Sequence, residues 1–259
     1  MDLGIAGKTA VITASSKGIG KECAWALARE GANVVVCARN VAQLEQTAQE
    51  LAAEFGSDRV LAVPTDIMVQ GDLDRLVTAV NERFGSVDIL VYITGSPKRG
   101  GFSELTADDL RAAFEMTVIP AWQLLHLVLP SMREQGWGRI VTVQSRSVKE
   151  PIPNLVSSIA TRPGVAGLFK YVADEVAADG VLLNVIVPGR IETDRFRAGV
   201  EGASAGQDAY VQSKLSDLPV GRFGRPQEIA DTVCFLSSER ASYISGSAIK
   251  VDGGVIRAL

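Results

Sequence analysis

Short apolar runs alternate with amphipathic stretches along most of this 259-residue chain. The apolar runs, which predict strands, cover residues 8–13, 33–37, 60–63, 87–92, 138–145 and 181–187. The stretches with helical spacing, which predict helices, cover residues 19–30, 41–55, 69–84, 106–134 and 165–178. Buried strands that alternate with helices are typical of a parallel sheet covered on both faces. The pattern therefore predicts a doubly wound α/β fold.

No feature of the sequence divides the chain into parts. It contains no linker rich in Pro, Gly or Ser and no internal repeat, and its 47% hydrophobic composition is enough for one large core. We therefore expect a single domain over residues 1–259. The segment from Arg195 to Leu218 is polar and rich in Gly and Ala, so we expect a mobile substrate lid around residues 190–222.

Charge and hydropathy exclude several classes of partner. A net charge of −4 and a pI near 5.2 are not typical of a protein that binds nucleic acid or an anionic membrane. The first ten residues do not resemble a signal peptide, and the apolar stretch 118–130 is short and interrupted by Gln123 and His126. We expect a cytoplasmic protein without membrane or nucleic-acid partners.

The cysteines and the single histidine are expected to have structural roles and not catalytic ones. Cys23, Cys37 and Cys234 lie far apart in apolar segments, which favours reduced core thiols over disulfides. His126, the single histidine, lies in an apolar helical run and is expected to pack there or at an interface. We predict no metal site.

A glycine-rich turn joins the first predicted strand to the first helix. The segment Thr13-Ala-Ser-Ser-Lys-Gly-Ile-Gly20 places backbone N–H groups and a helix N-terminus where a pyrophosphate would bind in a Rossmann-type fold. The candidate cofactor residues in this turn are Thr13, Ser15, Lys17, Gly18, Ile19 and Gly20. Ala14 occupies a position where such turns often have glycine, at a cost of about 1 kcal/mol if its φ is positive.

The end of the second strand indicates which dinucleotide is bound. Cys37-Ala38-Arg39-Asn40 has no carboxylate for a ribose 2′-hydroxyl, whereas Arg39 and Lys17 offer positive charge to a 2′-phosphate. We therefore expect NADP(H) rather than NAD(H). The alternative is that both side chains are ordinary solvated cations.

Over nearly its whole length the chain resembles the short-chain dehydrogenase/reductase family. The segments that carry this resemblance are Thr13–Gly20, Asn184-Val-Ile-Val-Pro-Gly-Arg-Ile-Glu-Thr193, Gly221–Ala230 and Ile244–Gly254. The resemblance implies that Asp66 and Ile67 contact the adenine side of the cofactor. It also implies a homotetramer and a cofactor site that includes Gly95, Pro188, Gly189, Ile191 and Thr193.

The resemblance also locates the catalytic positions. Family members use a Ser, a Tyr, a Lys four residues after the Tyr, and an Asn. In this sequence those positions are Ser145, Ser158, Arg162 and Thr117. Serine is a much weaker acid than a phenol, and arginine keeps its proton at any working pH. The chain therefore matches the catalytic set only at Ser145.

Proline and the nearby tyrosines lead to three further predictions. Pro163 is unfavourable inside a helix and suits a first turn, so we expect the helix to begin near Thr161 and residues 157–160 to be irregular. Tyr171 is about 20 Å along a continuous helix from Ser158, too far to replace the missing phenol. Tyr92 is expected to pack as a strand residue.

Six cationic residues follow the predicted strands and the next helix start. They are Lys98, Arg99, Arg146, Lys149, Arg162 and Arg190. Positive charge concentrated in a cleft favours an anionic substrate, with Arg146 and Arg190 as candidate contacts. The alternative is that these are solvated loop charges and cofactor contacts.

The sequence thus favours an atypical NADP(H)-linked oxidoreductase that acts on a carbonyl/alcohol pair. Such a reaction can proceed without the usual Tyr, because proton delivery accelerates it only about 10²- to 10⁴-fold. In this interpretation Ser145 and Ser158 orient the carbonyl, Arg162 holds the ribose and the oxyanion, and water or the substrate itself supplies the proton. One alternative is a lyase or isomerase that uses Ser145, Ser158 and Arg162 without net hydride transfer. Another is a non-catalytic NADP(H)-binding protein.

Overall fold

Seven parallel strands form one sheet in the computed structural model, which describes residues 1–202 and 206–258 apart from the side chain of Arg195. The strands are β1 (Thr9–Ile12), β2 (Asn33–Ala38), β3 (Val60–Pro64), β4 (Ile89–Ile93), β5 (Gly138–Val143), β6 (Val181–Pro188) and β7 (Ala248–Val251). Their order across the sheet is β3-β2-β1-β4-β5-β6-β7. The order reverses between β1 and β4, and ligands bind at such a switch point outside the carboxyl ends of the strands. The predicted fold class is confirmed.

Nine α-helices are described. They are α1 (Gly18–Arg29), α2 (Val41–Phe55), α3 (Gln70–Phe84), α4 (Ala107–Thr117), α5 (Ile119–Glu134), α6 (Val156–Val176), α7 (Asp194–Glu201), α8 (Gln207–Leu215) and α9 (Pro226–Leu236). On one face of the sheet, α3, α5 and α6 bury side chains such as Leu73, Leu124 and Phe169. On the other face, α1, α2 and α9 bury Leu27, Leu44 and Ile229. The sheet therefore has an apolar core on both faces.

The predicted start of α6 is wrong. The helix begins at Val156, not near Thr161, and contains Pro163 in its interior. A proline there costs about 3 kcal/mol in an isolated helix. Here Thr161 Oγ1 donates to Ser157 O at 2.9 Å, and Val165 and Phe169 are fully buried. Packing against the sheet offsets the unfavourable local preference.

The long helical stretch predicted over residues 106–134 forms two helices that meet at Val118. Residues 107–134 are long and apolar enough to cross a membrane by length and composition alone, with a hydropathy of 1.4. Their apolar side chains Leu124, Leu125, Val128 and Met132 lie in the core beside the sheet. This packing explains the hydropathy of the segment.

The predicted lid region contains α7 and α8. Residues 203–205, which belong to the same predicted lid, lie outside the described residues. The two ends of this region lie side by side. Glu192 N donates to Gly224 O at 2.8 Å, and Gly224 N donates to Arg190 O at 2.9 Å. These backbone hydrogen bonds hold together the two chain segments that flank α7 and α8.

The three cysteines are free and buried, as predicted. Burial raises the pKa of the Cys37 and Cys234 thiols to about 12, and it also raises the pKa of the Cys23 thiol. All three are protonated at neutral pH and pack as small apolar side chains.

Candidate active site

The glycine-rich turn after β1 is held by its neighbours in the sheet. Thr13 Oγ1 donates to Ile93 O at 2.6 Å and accepts from Ile93 N at 2.7 Å. Ser15 Oγ donates to Ile12 O at 2.7 Å and accepts from Cys37 N at 2.8 Å. Both side chains are fully buried, so they hold the turn in place and do not line the cavities beside it.

The backbone of this turn explains its small residues. Ala14 has a φ of 51° and Gly18 a φ of 56°, both in the left-handed region. A Cβ on Gly20 would collide with the carbonyl oxygen of Ala14. Ala14 therefore adopts a conformation that favours glycine. Its positive φ is the case for which the sequence predicts a cost of about 1 kcal/mol.

A cavity of about 380 Å³ lies at the carboxyl ends of β1, β2 and β3. Its lining includes five residues predicted to contact the cofactor, namely Lys17, Arg39, Asp66, Ile67 and Gly95. Lys17 and Arg39 are exposed, and neither makes an ion pair within the described part of the chain. Asp66 is fixed by its own turn, because its Oδ1 accepts from Met68 N at 3.1 Å.

A second cavity, of about 410 Å³, lies at the ends of β4, β5 and β6, and we call it the catalytic cleft. It brings together the predicted catalytic residues Ser145, Ser158 and Arg162 with the loop after β6. Other residues in its lining that the sequence singled out are Ile19, Arg146, Pro188, Gly189, Arg190, Ile191 and Thr193. Gly189 is required there, since a Cβ would lie 2.5 Å from Asp252 O.

Arg162 is buried, with 5% of its surface exposed. Its Nη1 donates to Gln144 Oε1 at 3.1 Å and its Nη2 donates to Gly95 O at 2.9 Å. Gln144 Nε2 in turn donates to Thr142 Oγ1 at 2.5 Å. The guanidinium thus connects α6 to the ends of β4 and β5 and brings a permanent positive charge to the wall of the cleft.

The two predicted catalytic serines are linked through Ser147. Ser158 Oγ lies 2.9 Å from Ser147 Oγ, and Ser145 Oγ accepts from Ser147 N at 3.2 Å. Both serines line the cleft. They can donate a hydrogen bond to a substrate oxygen, but an alkyl hydroxyl is a poor source of a proton.

Thr117 and Tyr92 lie behind the cleft and do not line it. Thr117 Oγ1 donates to Ala113 O at 2.7 Å inside α4, and Tyr92 OH donates to Thr117 O at 2.8 Å. Tyr92 is fully buried and stacks on Phe169, and burial raises the pKa of its phenol. Tyr92 packs as a strand residue, as predicted. The structure does not bring Thr117 to the cleft.

Several of the six cationic residues have acidic partners. Lys98 Nζ lies 2.9 Å from Asp109 Oδ1, Arg146 Nε lies 3.1 Å from Glu150 Oε1, and Arg190 pairs with Asp217. Four of the six, Arg99, Arg146, Arg162 and Arg190, line the catalytic cleft. The ion pairs reduce the net positive charge there below what the sequence suggested.

The cleft also contains residues that were not anticipated from the sequence. Phe196 of α7 and Tyr210 and Lys214 of α8 form its outer wall. The signal was present in the segment Tyr210-Val-Gln-Ser-Lys214, which has a Tyr and a Lys four residues apart. Only the folded chain brings this segment to the same cavity as Ser145.

Two other predicted features lie away from the cleft. His126 is exposed on α5, where its Nδ1 lies 3.0 Å from Trp122 O. Tyr171 is also exposed, on the outer side of α6. No group of three or more His, Cys, Asp or Glu side chains that could hold a metal ion is found among the residues described.

Known proteins resemble this chain in both sequence and fold. A family profile described as Enoyl-(Acyl carrier protein) reductase matches residues 13–256. A 3-oxoacyl-(acyl-carrier-protein) reductase FabG of Vibrio cholerae is 32% identical, and the match covers 98% of this chain and 99% of that protein. An oxidoreductase of Bacillus subtilis, YvrD, is 31% identical with full coverage of both chains.

Two solved structures extend the comparison. L-sorbose reductase from Gluconobacter frateurii, in complex with NADPH and L-sorbose, has a TM-score of 0.95 and 35% identity with full coverage of both chains. A 7α-hydroxysteroid dehydrogenase, in complex with NADH and 7-oxo glycochenodeoxycholic acid, has a TM-score of 0.90 and 31% identity, covering 100% of this chain and 98% of that one. These matches and the seven-stranded sheet agree with the resemblance found in the sequence motifs. The chain belongs to the short-chain dehydrogenase/reductase family.

Proposed function

We propose that this protein is an NADP(H)-linked oxidoreductase that acts on the carbonyl/alcohol pair of a small anionic molecule. The observation that supports this most strongly is that Ser145, Ser158 and the loop Pro188–Thr193 line one cleft. Ile19, from the turn that would hold the pyrophosphate, lines the same cleft. A substrate bound there would lie beside the nicotinamide.

The residues present fit a dinucleotide. The turn formed by Ala14, Lys17 and Gly18 presents backbone N–H groups and the start of α1 to a pyrophosphate. The bound nicotinamide would supply or accept a hydride. Thr193, which caps α7 by accepting from Phe196 N at 3.4 Å, and the backbone after Pro188 would position its carboxamide.

The preference for NADP(H) rests on two charges. The fold alone does not decide it, since L-sorbose reductase was solved with NADPH and the 7α-hydroxysteroid dehydrogenase with NADH. In this chain Lys17 and Arg39 line the cavity at the end of β2, without acidic partners in the described part of the chain. A 2′-phosphate would give them charge-assisted hydrogen bonds.

The anionic substrate is supported by the composition of the cleft wall. Among the described lining residues are the cations Arg99, Arg146, Arg162, Arg190 and Lys214, and no Asp or Glu. Arg162 is the most buried of them, so solvent screens its charge least. A carboxylate or phosphate on the substrate would be attracted to this wall.

A second candidate function is a lyase or isomerase reaction without net hydride transfer. It is favoured by the presence of Ser158 and Arg162 where family members have a Tyr and a Lys. Together with Ser145 they form a site that can stabilise an oxyanion but is poorly suited to deliver a proton. The third alternative, a non-catalytic NADP(H)-binding protein, requires only the cofactor cavity.

The test begins with titration of NADPH and NADH by nucleotide fluorescence in the wild type, Arg39→Ala and Arg111→Ala. Arg111 is an exposed residue of α4 that pairs with Asp108 and serves as the matched control. We expect Arg39→Ala to weaken NADPH about 10- to 100-fold, the loss of a hydrogen bond to a charged group worth about 1.5–3 kcal/mol. NADH affinity should change less than about twofold in either variant.

Turnover then separates the alternatives. Loss of NADPH absorbance with ketones that carry a carboxylate or phosphate would support the proposal. Binding without turnover of any substrate would favour the binding protein, and turnover without loss of absorbance would favour the lyase or isomerase. Absence of NADPH binding by the wild type would contradict the proposal.

We also propose a homotetramer in the cytoplasm. Apart from the resemblance, support comes from the aromatic side chains on the outer faces of α5 and α6, where Trp122 is 54% and Tyr171 is 65% exposed. Association would bury these rings. Sedimentation of the wild type and of Trp122→Glu tests it, and a monomeric wild type would contradict it.

A further inference from the structure

The lid carries a second pair with the spacing of the missing catalytic residues. Tyr210 and Lys214 are four residues apart on α8, so both lie on one face of that helix. That face forms part of the wall of the catalytic cleft, together with Ser145, Ser158 and Arg162. A phenol and an ammonium group therefore accompany the serines in the same cavity.

The environment of Tyr210 fixes its ring between the two lid helices. Its ring centroid lies 6.5 Å from that of Phe196, which in turn packs 4.4 Å from Phe223. The hydroxyl points towards Gly199, where a Cβ would lie 3.3 Å from it. Glycine at position 199 leaves space for the phenol hydroxyl at the edge of the cleft.

Lys214 lies next to the same ring. Its Nζ is 5.2 Å from the ring centroid of Tyr210. A positive charge at this distance stabilises the phenolate that remains after a proton has left. Lys214 can therefore assist Tyr210 electrostatically, without itself giving up a proton.

The end of α8 is tied to the loop that follows β6. The Arg190 guanidinium donates to Lys214 O and to both carboxylate oxygens of Asp217, at 2.7 Å for the Nη2–Oδ2 bond. Arg190 directly follows Pro188-Gly189, the part of the loop proposed to hold the nicotinamide. The phenol is thus carried by a helix anchored to the cofactor loop.

The other tyrosines, all within the described residues, are not available to the cleft. Tyr92 is buried and donates its hydroxyl to Thr117 O. Tyr171 and Tyr243 are exposed elsewhere, at 65% and 103%. Of the four tyrosines in the chain, Tyr210 is the one that lines the cleft.

We propose that Tyr210 is the proton donor of the reduction and that Lys214 assists it, so that the lid supplies the acid that position 158 lacks. This proposal rests on the proposed function. The bound reduced nicotinamide would supply the hydride of the new C–H bond, and the carbonyl π electrons would move onto oxygen. The Tyr210 O–H bond then breaks, its proton passes to that oxygen, and the phenolate regains a proton from solvent. The products are the alcohol and the oxidised nicotinamide.

The test compares Tyr210→Phe with Tyr243→Phe, which removes a hydroxyl from an exposed tyrosine outside the cleft. We expect Tyr210→Phe to lower kcat about 10²-fold or more, the lower end of the contribution of general acid catalysis, with NADPH affinity unchanged. Because a general acid must be protonated, kcat of the wild type should fall at alkaline pH, and this fall should disappear in Tyr210→Phe. Tyr243→Phe should match the wild type in all three measurements.

Lys214→Met provides a second, independent measurement. It leaves the phenol in place and removes only the charge, so we expect a smaller loss of kcat than in Tyr210→Phe, with NADPH affinity unchanged. Thermal unfolding of each variant controls for folding, and because Tyr210 and Lys214 lie on an outer helix we expect little change.

Three results would overturn the inference. If Tyr210→Phe keeps kcat within about twofold of a wild type that reduces ketones, the inference fails while the proposed function stands. If only KM rises and the alkaline fall of kcat persists, Tyr210 is a substrate contact and not the donor. If the wild type does not bind NADPH, both the proposed function and the inference fail.

Discussion

The two ends of the crevice along the carboxyl edge of the sheet are built in different ways. At the ends of β1 to β3, the predicted cofactor site is formed mainly by backbone: a turn with two positive φ angles and the start of α1. At the ends of β4 and β5, the predicted catalytic site depends on individual side chains, and the sequence predicts Ser158 and Arg162 at the positions where family members have Tyr and Lys. A site built from backbone tolerates a change such as alanine at position 14, whereas proton transfer depends on one particular side chain.

Arg162 also contributes to the stability of the fold at this end of the crevice. Arg162 donates to Gln144 and to Gly95 O, so it connects three elements of the fold from a buried position. Removing one partner of a buried charged hydrogen bond costs about 1.5–3 kcal/mol or more. The same residue therefore contributes both to stability and to the charge of the cleft.

The largest expected effect comes from restoring the expected catalytic pair. The change Ser158→Tyr with Arg162→Lys places a phenol and an ammonium group on the cleft face of α6. If the catalytic position has been located correctly, the same change made in Tyr210→Phe, where the lid supplies no acid, should raise kcat for reduction of a simple ketone about 10²- to 10⁴-fold. Stopped-flow or steady-state loss of NADPH absorbance measures it.

Ser158→Tyr alone is the control for this change, because it keeps the hydrogen bonds of Arg162. If these two changes give no gain in kcat in a folded Tyr210→Phe protein that binds NADPH, positions 158 and 162 are not the catalytic Tyr and Lys positions.

A moderate effect is expected at the backbone-built end. Ala14 has a φ of 51°, so Ala14→Gly should stabilise the protein by about 1 kcal/mol through relief of left-handed strain. The matched control is Ala53→Gly on the exposed side of α2, which should destabilise by about 0.5–1 kcal/mol. Urea unfolding of the two variants measures both. Destabilisation by Ala14→Gly would show that the turn is not under local strain.

The smallest expected effect is the pH dependence of the ion pair between Glu228, in the first turn of α9, and Arg222. Hydrogen bonds from the Arg222 side chain and from Arg225 N lower the pKa of Glu228, ordinarily 4.5, to about 2. Since the folded-state pKa is the lower one, this stabilisation is fully present above about pH 4.5 and is lost as the pH falls through about 2. The group is largely solvated, so it contributes at most about 1 kcal/mol.

Urea unfolding of the wild type and Glu228→Gln at pH 7, 4.5 and 3 tests this. The difference between the two should be largest at pH 7 and shrink towards pH 3, because the unfolded wild type takes up a proton on Glu228 below about pH 4.5 whereas the amide of the variant does not titrate. Glu54→Gln on the exposed face of α2 is the control. A difference that grows as the pH falls would contradict the sign.

The sequence by itself determined the α/β fold, the position of the glycine-rich turn after β1 and the packing of Tyr92. These features follow from local patterns: the period of apolar residues identifies strands and helices, and a glycine-rich turn between a strand and a helix has few possible conformations. Spacing along α6 also located Ser158 and Arg162, which line the same cleft as Ser145.

Only the tertiary structure decided where α6 begins, which cations are paired and that Tyr210 lines the same cleft as the two serines. Local preference placed the helix start near Thr161, with the proline in the first turn, whereas the helix begins at Val156 and is held by the buried side chains Val165 and Phe169 and by the hydrogen bonds of Arg162. The partners Asp109, Glu150 and Asp217 reduce charges that appeared free in the sequence. Tyr210 reaches the cleft because α8 lies against it, and such contacts between distant segments leave no periodic signal in the sequence.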